Sequence, residues 1–105
     1  MTQDDIISEA VSRLLKHSKP VKIILFGSRA RGEYDNHSDL DILVICPFTG
    51  ERRKIISGFL RKLNDLELAI DIIVLSPEEF ECDKNIPGTI ARPAWLEGKV
   101  LYEAA

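Results

Sequence analysis

The chain has 105 residues, 45% of them hydrophobic and 30% charged, which is ordinary globular usage and excludes a disordered, fibrous or collagen-like protein. A length of this order supports one core that buries roughly 65% of the unfolded surface, so a single domain over residues 1–105 is expected. With 14 Lys+Arg against 17 Asp+Glu the formal net charge is -3, which leaves no overall field to hold long nucleic acid as a primary ligand.

No apolar run approaches the length that crosses a bilayer, and the opening Met1-Thr2-Gln3-Asp4-Asp5 is acidic where a signal peptide is basic. A cytoplasmic protein without membrane contact is the expectation. Cys46 and Cys82 form no C-x-x-C pair and make no zinc spacing with His17 or His37, so they are expected as reduced residues in or near the core.

Along the chain, Ile6, Ile7, Ala10, Val11, Leu14 and Leu15 recur at three and four residues and predict an amphipathic helix. Thr2 is its N-cap, Asp4 and Asp5 favour its positive end, and Pro20 closes it. Val21 to Phe26 is short, apolar and rich in β-branched residues, as in a strand buried on both faces. Asp39 to Ile45 is a second strand, with Leu40, Ile42 and Val44 facing one way and Asp39, Asp41, Leu43 and Ile45 the other.

After a turn at Pro47 and Gly50, the residues Ile55, Ile56, Phe59, Leu60, Leu63 and Leu66 predict a second amphipathic helix. Its basic residues Arg52, Arg53, Lys54, Arg61 and Lys62 form a solvated face. Leu68 to Leu75 is a third strand, apolar except at Asp71. Ser76-Pro77-Glu78-Glu79 starts a helix, with Ser76 as N-cap, Pro77 at the first helical position and Glu79 closing a capping box. Pro87, Gly88 and Pro93 interrupt any helix between Asp83 and Gly98. Ala94, Trp95 and Leu96 supply a last turn or two, Trp95 packing at the core or sheet edge, and Val100, Leu101 and Tyr102 an edge strand.

Three features carry chemistry. Gly27-Ser28 stands at a strand-to-helix junction, where a small residue lets backbone N–H groups approach a phosphate and the helix start adds positive potential. Asp39-x-Asp41 puts two carboxylates about 7 Å apart on one strand face, a spacing that embraces hard cations. Asp71 is a lone carboxylate in an apolar strand, where burial costs several kcal/mol unless the charge is paired or bound to metal. An ion pair with Arg29 or Arg31, or an edge position facing water, is the structural alternative. If the second and third strands are neighbours, all three carboxylates share a face, and their repulsion calls for a divalent counter-charge, Mg²⁺ or Mn²⁺ rather than zinc. Tyr34 and His37 are read as loop residues outside the site.

Gly27-Ser28, ten residues, then Asp39-Leu40-Asp41, with Arg29-Ala30-Arg31-Gly32 between, resembles the signature of the minimal nucleotidyltransferase proteins of the DNA polymerase β-like superfamily. Asp71 falls where that family has its third carboxylate, and Glu97-Gly98-Lys99-Val100-Leu101-Tyr102-Glu103 is similar to its usual ending. The resemblance implies an α/β (α+β) fold, a small mixed β-sheet with helices packed on it in the manner of a polymerase β-like palm. It implies that Gly27 and Ser28 hold the terminal phosphates of an NTP, with Arg31 supporting that loop, and that Asp39 and Asp41 ligate two Mg²⁺ ions. Asp71 would bind the catalytic metal and help deprotonate an acceptor hydroxyl.

The implied reaction is transfer of AMP from ATP to a hydroxyl, with pyrophosphate leaving. No further domain is present to grip an acceptor, and minimal members resemble antitoxins that act beside a HEPN-domain toxin, in some systems by modifying one of its tyrosines. Two other readings remain open: an antitoxin that neutralises its partner by contact alone, and a small-molecule nucleotidyltransferase that builds its acceptor cleft as a homo-oligomer.

Overall fold

A computed structural model describes residues 2–33, 35 and 38–104. Helix α1, Gln3–His17, is followed by strand β1, Lys22–Phe26, and the short helix α2, Ser28–Arg31. Strand β2, Leu40–Ile45, helix α3, Arg52–Leu63, and strand β3, Ile70–Leu75, come next. Helices α4, Pro77–Asp83, and α5, Ala91–Glu97, precede strand β4, Lys99–Glu103. The sheet order is β3-β2-β1-β4, with β1 antiparallel to β2 and β4, and β2 parallel to β3. This is the expected mixed sheet with helices packed on it.

Side-chain alternation divides the core into two layers. Leu40, Ile42 and Val44 join Ile23, Leu25, Ile72 and Val74 beneath α1 and α3. Leu43 and Ile45 face the other way, with Ile24, Phe80, Ala91 and Ala94 under α4 and α5. A one-residue slip of β2 would drive its carboxylates into the first layer, so burial on both faces fixes the register. The parallel β2–β3 pairing is reached through α3, as such a crossover requires.

Helix ends follow local chemistry. Thr2 and Asp5 form a capping box on α1, and Ser76 and Glu79 form one on α4, where Glu79 also takes an ion pair from Arg52 of α3. Burial on α1 follows the periodicity through Ile6, Ala10 and Leu14, with Leu15 at the margin.

Four expectations need correction. Pro93 does not stop a helix but lies in the first turn of α5, where its missing N–H would have no intrahelical acceptor. Cys46 is buried, but Cys82 is exposed on α4, whose buried contact is Phe80. Trp95 is 45% exposed: one edge meets the Phe80 ring at 6.2 Å between centroids, while the Lys84 ammonium lies 4.3 Å from its own centroid. Leu66 falls beyond the end of α3 and packs on the core from the following turn. Tyr34 and His37 lie outside the described residues.

Among the described residues no helix is long and apolar enough to cross a membrane. The Ser76 cap provides a test of the local reading. Ser76→Ala should cost about 1 kcal/mol in chemical denaturation, because it leaves the Glu79 N–H without its acceptor.

Candidate active site

The β2–β3 register sets Asp41 beside Asp71, while Asp39, expected as the first strand residue, lies just before β2 begins at Leu40, near enough for its charge to act on Asp41. Both aligned carboxylates lie on the α4/α5 face of the sheet, beyond the point where Leu43 and Ile73 enter the core. Asp39 and Asp71 are exposed and Asp41 is half-buried. Of the readings of Asp71, burial is corrected and the edge position facing water is the one seen: β3 is an edge strand and Asp71 is exposed near its start. Asp41 is the carboxylate that pays for burial. Desolvation first, then the charges of Asp71 and Asp39, push its carboxyl above the ordinary range.

On its other side β2 pairs with β1, and Asp41 faces Phe26 at the end of that strand. The chain then turns through Gly27 at φ 77, a left-handed conformation that glycine adopts without strain. A Cβ on Gly27 would collide with Asp41 Oδ2 and stand 3.3 Å from its Cγ. The glycine thus serves the turn and also lets a carboxylate lie directly over the backbone. Ser28 and Arg29 open α2, whose first N–H groups have no intrahelical acceptors. Gly32, also at φ 77, ends this helix by donating its N–H to Ser28 O.

Neither arginine takes the ion pair with Asp71 that the sequence offered. Arg29 and Arg31 make no ion pair with Asp71, and Asp39, Asp41 and Asp71 join no ion pair among the described residues. Arg31 projects to the surface, with Nε 3.1 Å from Glu33 and Nη1 3.5 Å from Glu97, so its guanidinium is held by carboxylates away from the aspartate cluster.

Arg29, offered by the sequence only as a candidate ion-pair partner of Asp71, is buried elsewhere. Its Nε donates to Ser38 O at 2.9 Å, Nη1 to Gln3 Oε1 at 2.6 Å and Nη2 to Asp35 O at 3.4 Å. It therefore fastens the residue before Asp39 to α2 and to the start of α1. A charged side chain beside a helix start offers no sequence signal for burial, since its three acceptors come from distant or main-chain atoms.

The chemistry of this corner suits a hard divalent cation. Its donors are all oxygen, they are like-charged, and no lysine or arginine compensates them. As the side chains stand, no three His, Cys, Asp or Glu of the described residues enclose an ion on protein ligands alone. That agrees with the habit of Mg²⁺, which is commonly held by one or two carboxylates together with substrate phosphates.

Residues 5–100 match the model of the nucleotidyltransferase domain. The chain belongs to that family. A Methanocaldococcus jannaschii protein named as a protein adenylyltransferase is 36% identical over 104 residues, 97% of this chain and 100% of that one. A second M. jannaschii protein of the same name is 47% identical over 49 residues, 44% of this chain and 48% of its own. Among solved structures, a Sulfolobus solfataricus chain described as a nucleotidyltransferase superposes with a TM-score of 0.58 at 23% identity, covering 94% of this chain and 78% of that one. A chain of a toxin-antitoxin structure with AMP-PNP superposes with a TM-score of 0.55 at 20% identity, covering 91% and 73%. These structures share the fold, and the family makes the chain a nucleotidyltransferase.

Two variants test the geometry. Gly27→Ala should destabilise the protein by about 1–2 kcal/mol from backbone strain alone and displace Asp41, which urea denaturation and a crystal structure would reveal. Asp41→Asn should do the reverse to the unliganded protein. A carboxyl whose folded pKa lies above its unfolded value weakens the fold while ionised, so the variant should melt at a higher temperature than the wild type at pH 7. The gain should disappear as pH falls below about 4, where the wild-type carboxyl is protonated in both states.

Proposed function

We propose that this nucleotidyltransferase moves AMP from ATP to a hydroxyl on a partner protein, with Mg²⁺ bound at Asp39, Asp41 and Asp71. The observation that carries the reading is the Gly27–Asp41 contact, which brings the phosphate-binding turn and the acidic cluster to one place. The named activity of the M. jannaschii relatives supports a protein acceptor. The fold shared with a toxin-antitoxin chain supports a role as antitoxin, with a HEPN-domain toxin as the partner.

In this reading the Gly27-Ser28 turn receives the terminal phosphates through backbone N–H groups and the Ser28 hydroxyl. Asp39 and Asp41 would hold the divalent cations that such a triphosphate brings with it, and Arg31 steadies the turn through its carboxylate partners. Divalent cations supply charge neutralisation at the α-phosphate and the leaving pyrophosphate. Asp71, the open carboxylate of the cluster, accepts the proton of the incoming hydroxyl as its oxygen bonds to the α-phosphorus and the bond to pyrophosphate breaks. The exposed edge of β3 leaves room for a bulky acceptor.

Mg²⁺ with ATP should stabilise the protein by about 2.7 kcal/mol at a hundredfold excess over Kd, and Asp41→Asn should remove that gain. Incubation with ATP and the co-encoded neighbouring protein should add AMP to a hydroxyl side chain of that protein, read by peptide mass spectrometry. Stabilisation by Mg²⁺–ATP without a modified partner would reject the protein acceptor. Loss of both responses would reject nucleotidyl transfer by this site.

A further inference from the structure

A bay of about 440 Å³ opens where the end of β2 passes between the C-terminus of α1 and the outer side of α3. It lies under the α1/α3 layer, on the opposite face of the sheet from Asp41 and Asp71. Cys46 in its wall, just past the end of β2, follows Asp41 by five positions, about 17 Å of extended chain. The bay therefore shares no residue with the candidate active site.

Its floor is apolar: Cys46 and Phe59 are buried, and Phe48 and Ile55 are half-buried. Its rim is cationic, formed by Lys19, Lys54 and Lys62, and no carboxylate lines it. None of these lysines joins an ion pair among the described residues, although the chain as a whole is acidic. Mutual repulsion of like charges favours an anionic occupant.

Gly58 supplies an independent observation. It sits in the middle of α3 and lines the bay, with φ in the ordinary helical range and nothing within 4 Å of where a Cβ would stand. Glycine here weakens the helix by about 1 kcal/mol relative to alanine, yet no close packing requires it. What its missing side chain does provide is depth in the bay.

The structure assigns this bay as a second ligand site, for a small organic anion that joins an aromatic ring to a phosphate, of which a nucleoside monophosphate is the simplest. The ring lies on Phe48, Ile55 and Phe59 over Gly58, and the phosphate meets the lysine rim. The volume falls within the range of small-molecule pockets, roughly 300–1,000 Å³.

Titration of the full chain with AMP, without metal, followed by amide NMR tests the assignment. Saturable shifts are expected at Thr49, Gly58 and Phe59, with an affinity about tenfold or more above that of inorganic phosphate. Lys54→Glu/Lys62→Glu should weaken this binding about tenfold or more, and Gly58→Leu, which fills the bay with a good helix former, should abolish it. Equal binding of AMP and phosphate would reduce the bay to a charge patch and overturn the proposal. So would AMP shifts confined to Gly27 and Ser28, or binding unchanged in both variants. An acidic phenylalanine-containing peptide that shifts the bay when AMP does not would overturn it in favour of a protein segment.

Discussion

The candidate site depends on a conflict of charge held in place by the sheet. Parallel pairing of β2 with β3 forces Asp41 and Asp71 to neighbouring positions, and Asp39, just before β2, adds its charge to Asp41. Among the described residues no ion pair relieves the repulsion, and burial first, then the neighbouring charges of Asp71 and Asp39, push the Asp41 carboxyl up. The register cannot relax to separate them, because each strand is committed through its apolar residues to two core layers. Stability gained by those layers thus maintains a locally unfavourable arrangement, as expected where a protein keeps room for a cationic ligand.

The turn at Gly27 and the side chain of Arg29 convert this arrangement into a shaped site. Gly27 lacks the atom that would push Asp41 away, and Arg29 fastens the Ser38 carbonyl immediately before Asp39. Both residues belong to the segment between β1 and β2, so a few residues form the turn beneath Asp41 and also anchor the start of the acidic strand. The Gln3 contact extends that anchoring to α1. The cost of burying the guanidinium is offset by its polar acceptors, including two main-chain carbonyls that no substitution of their own side chains would remove.

The elements were legible in the sequence wherever a short-range rule governs them. Alternation in Leu40–Ile45 separated the acidic face from the core face, and Ser76-Pro77-Glu78-Glu79 announced a helix start through contacts three residues apart. The proximity of the three carboxylates was readable only on the condition that β2 and β3 are neighbours, a non-local fact that α3 realises. What escaped were properties of position rather than pattern. Asp71 has an apolar sequence context but lies on an edge strand, and Cys82 and Trp95 are exposed because the short α4 and α5 cover only part of the sheet. The burial of Arg29 depends on acceptors at residues 3, 35 and 38, which no local window contains together.

The same sheet also explains how so short a chain can keep two different chemical environments apart. Asp41 near the start of β2 and Cys46 just past its end, five positions on, belong to opposite layers. At one end carboxylates are gathered without cations, and at the other lysines are gathered without carboxylates. A net charge of -3 conceals this polarity. Coulomb repulsion inside each cluster weakens the fold, whereas attraction across about 17 Å is largely screened at physiological salt, where the Debye length is about 8 Å. The two clusters therefore do not compensate each other. Under the two proposals, a cation at Asp41 and an anion beside Lys54 would each relieve its own cluster, and occupation of one end of β2 would leave the other nearly unchanged.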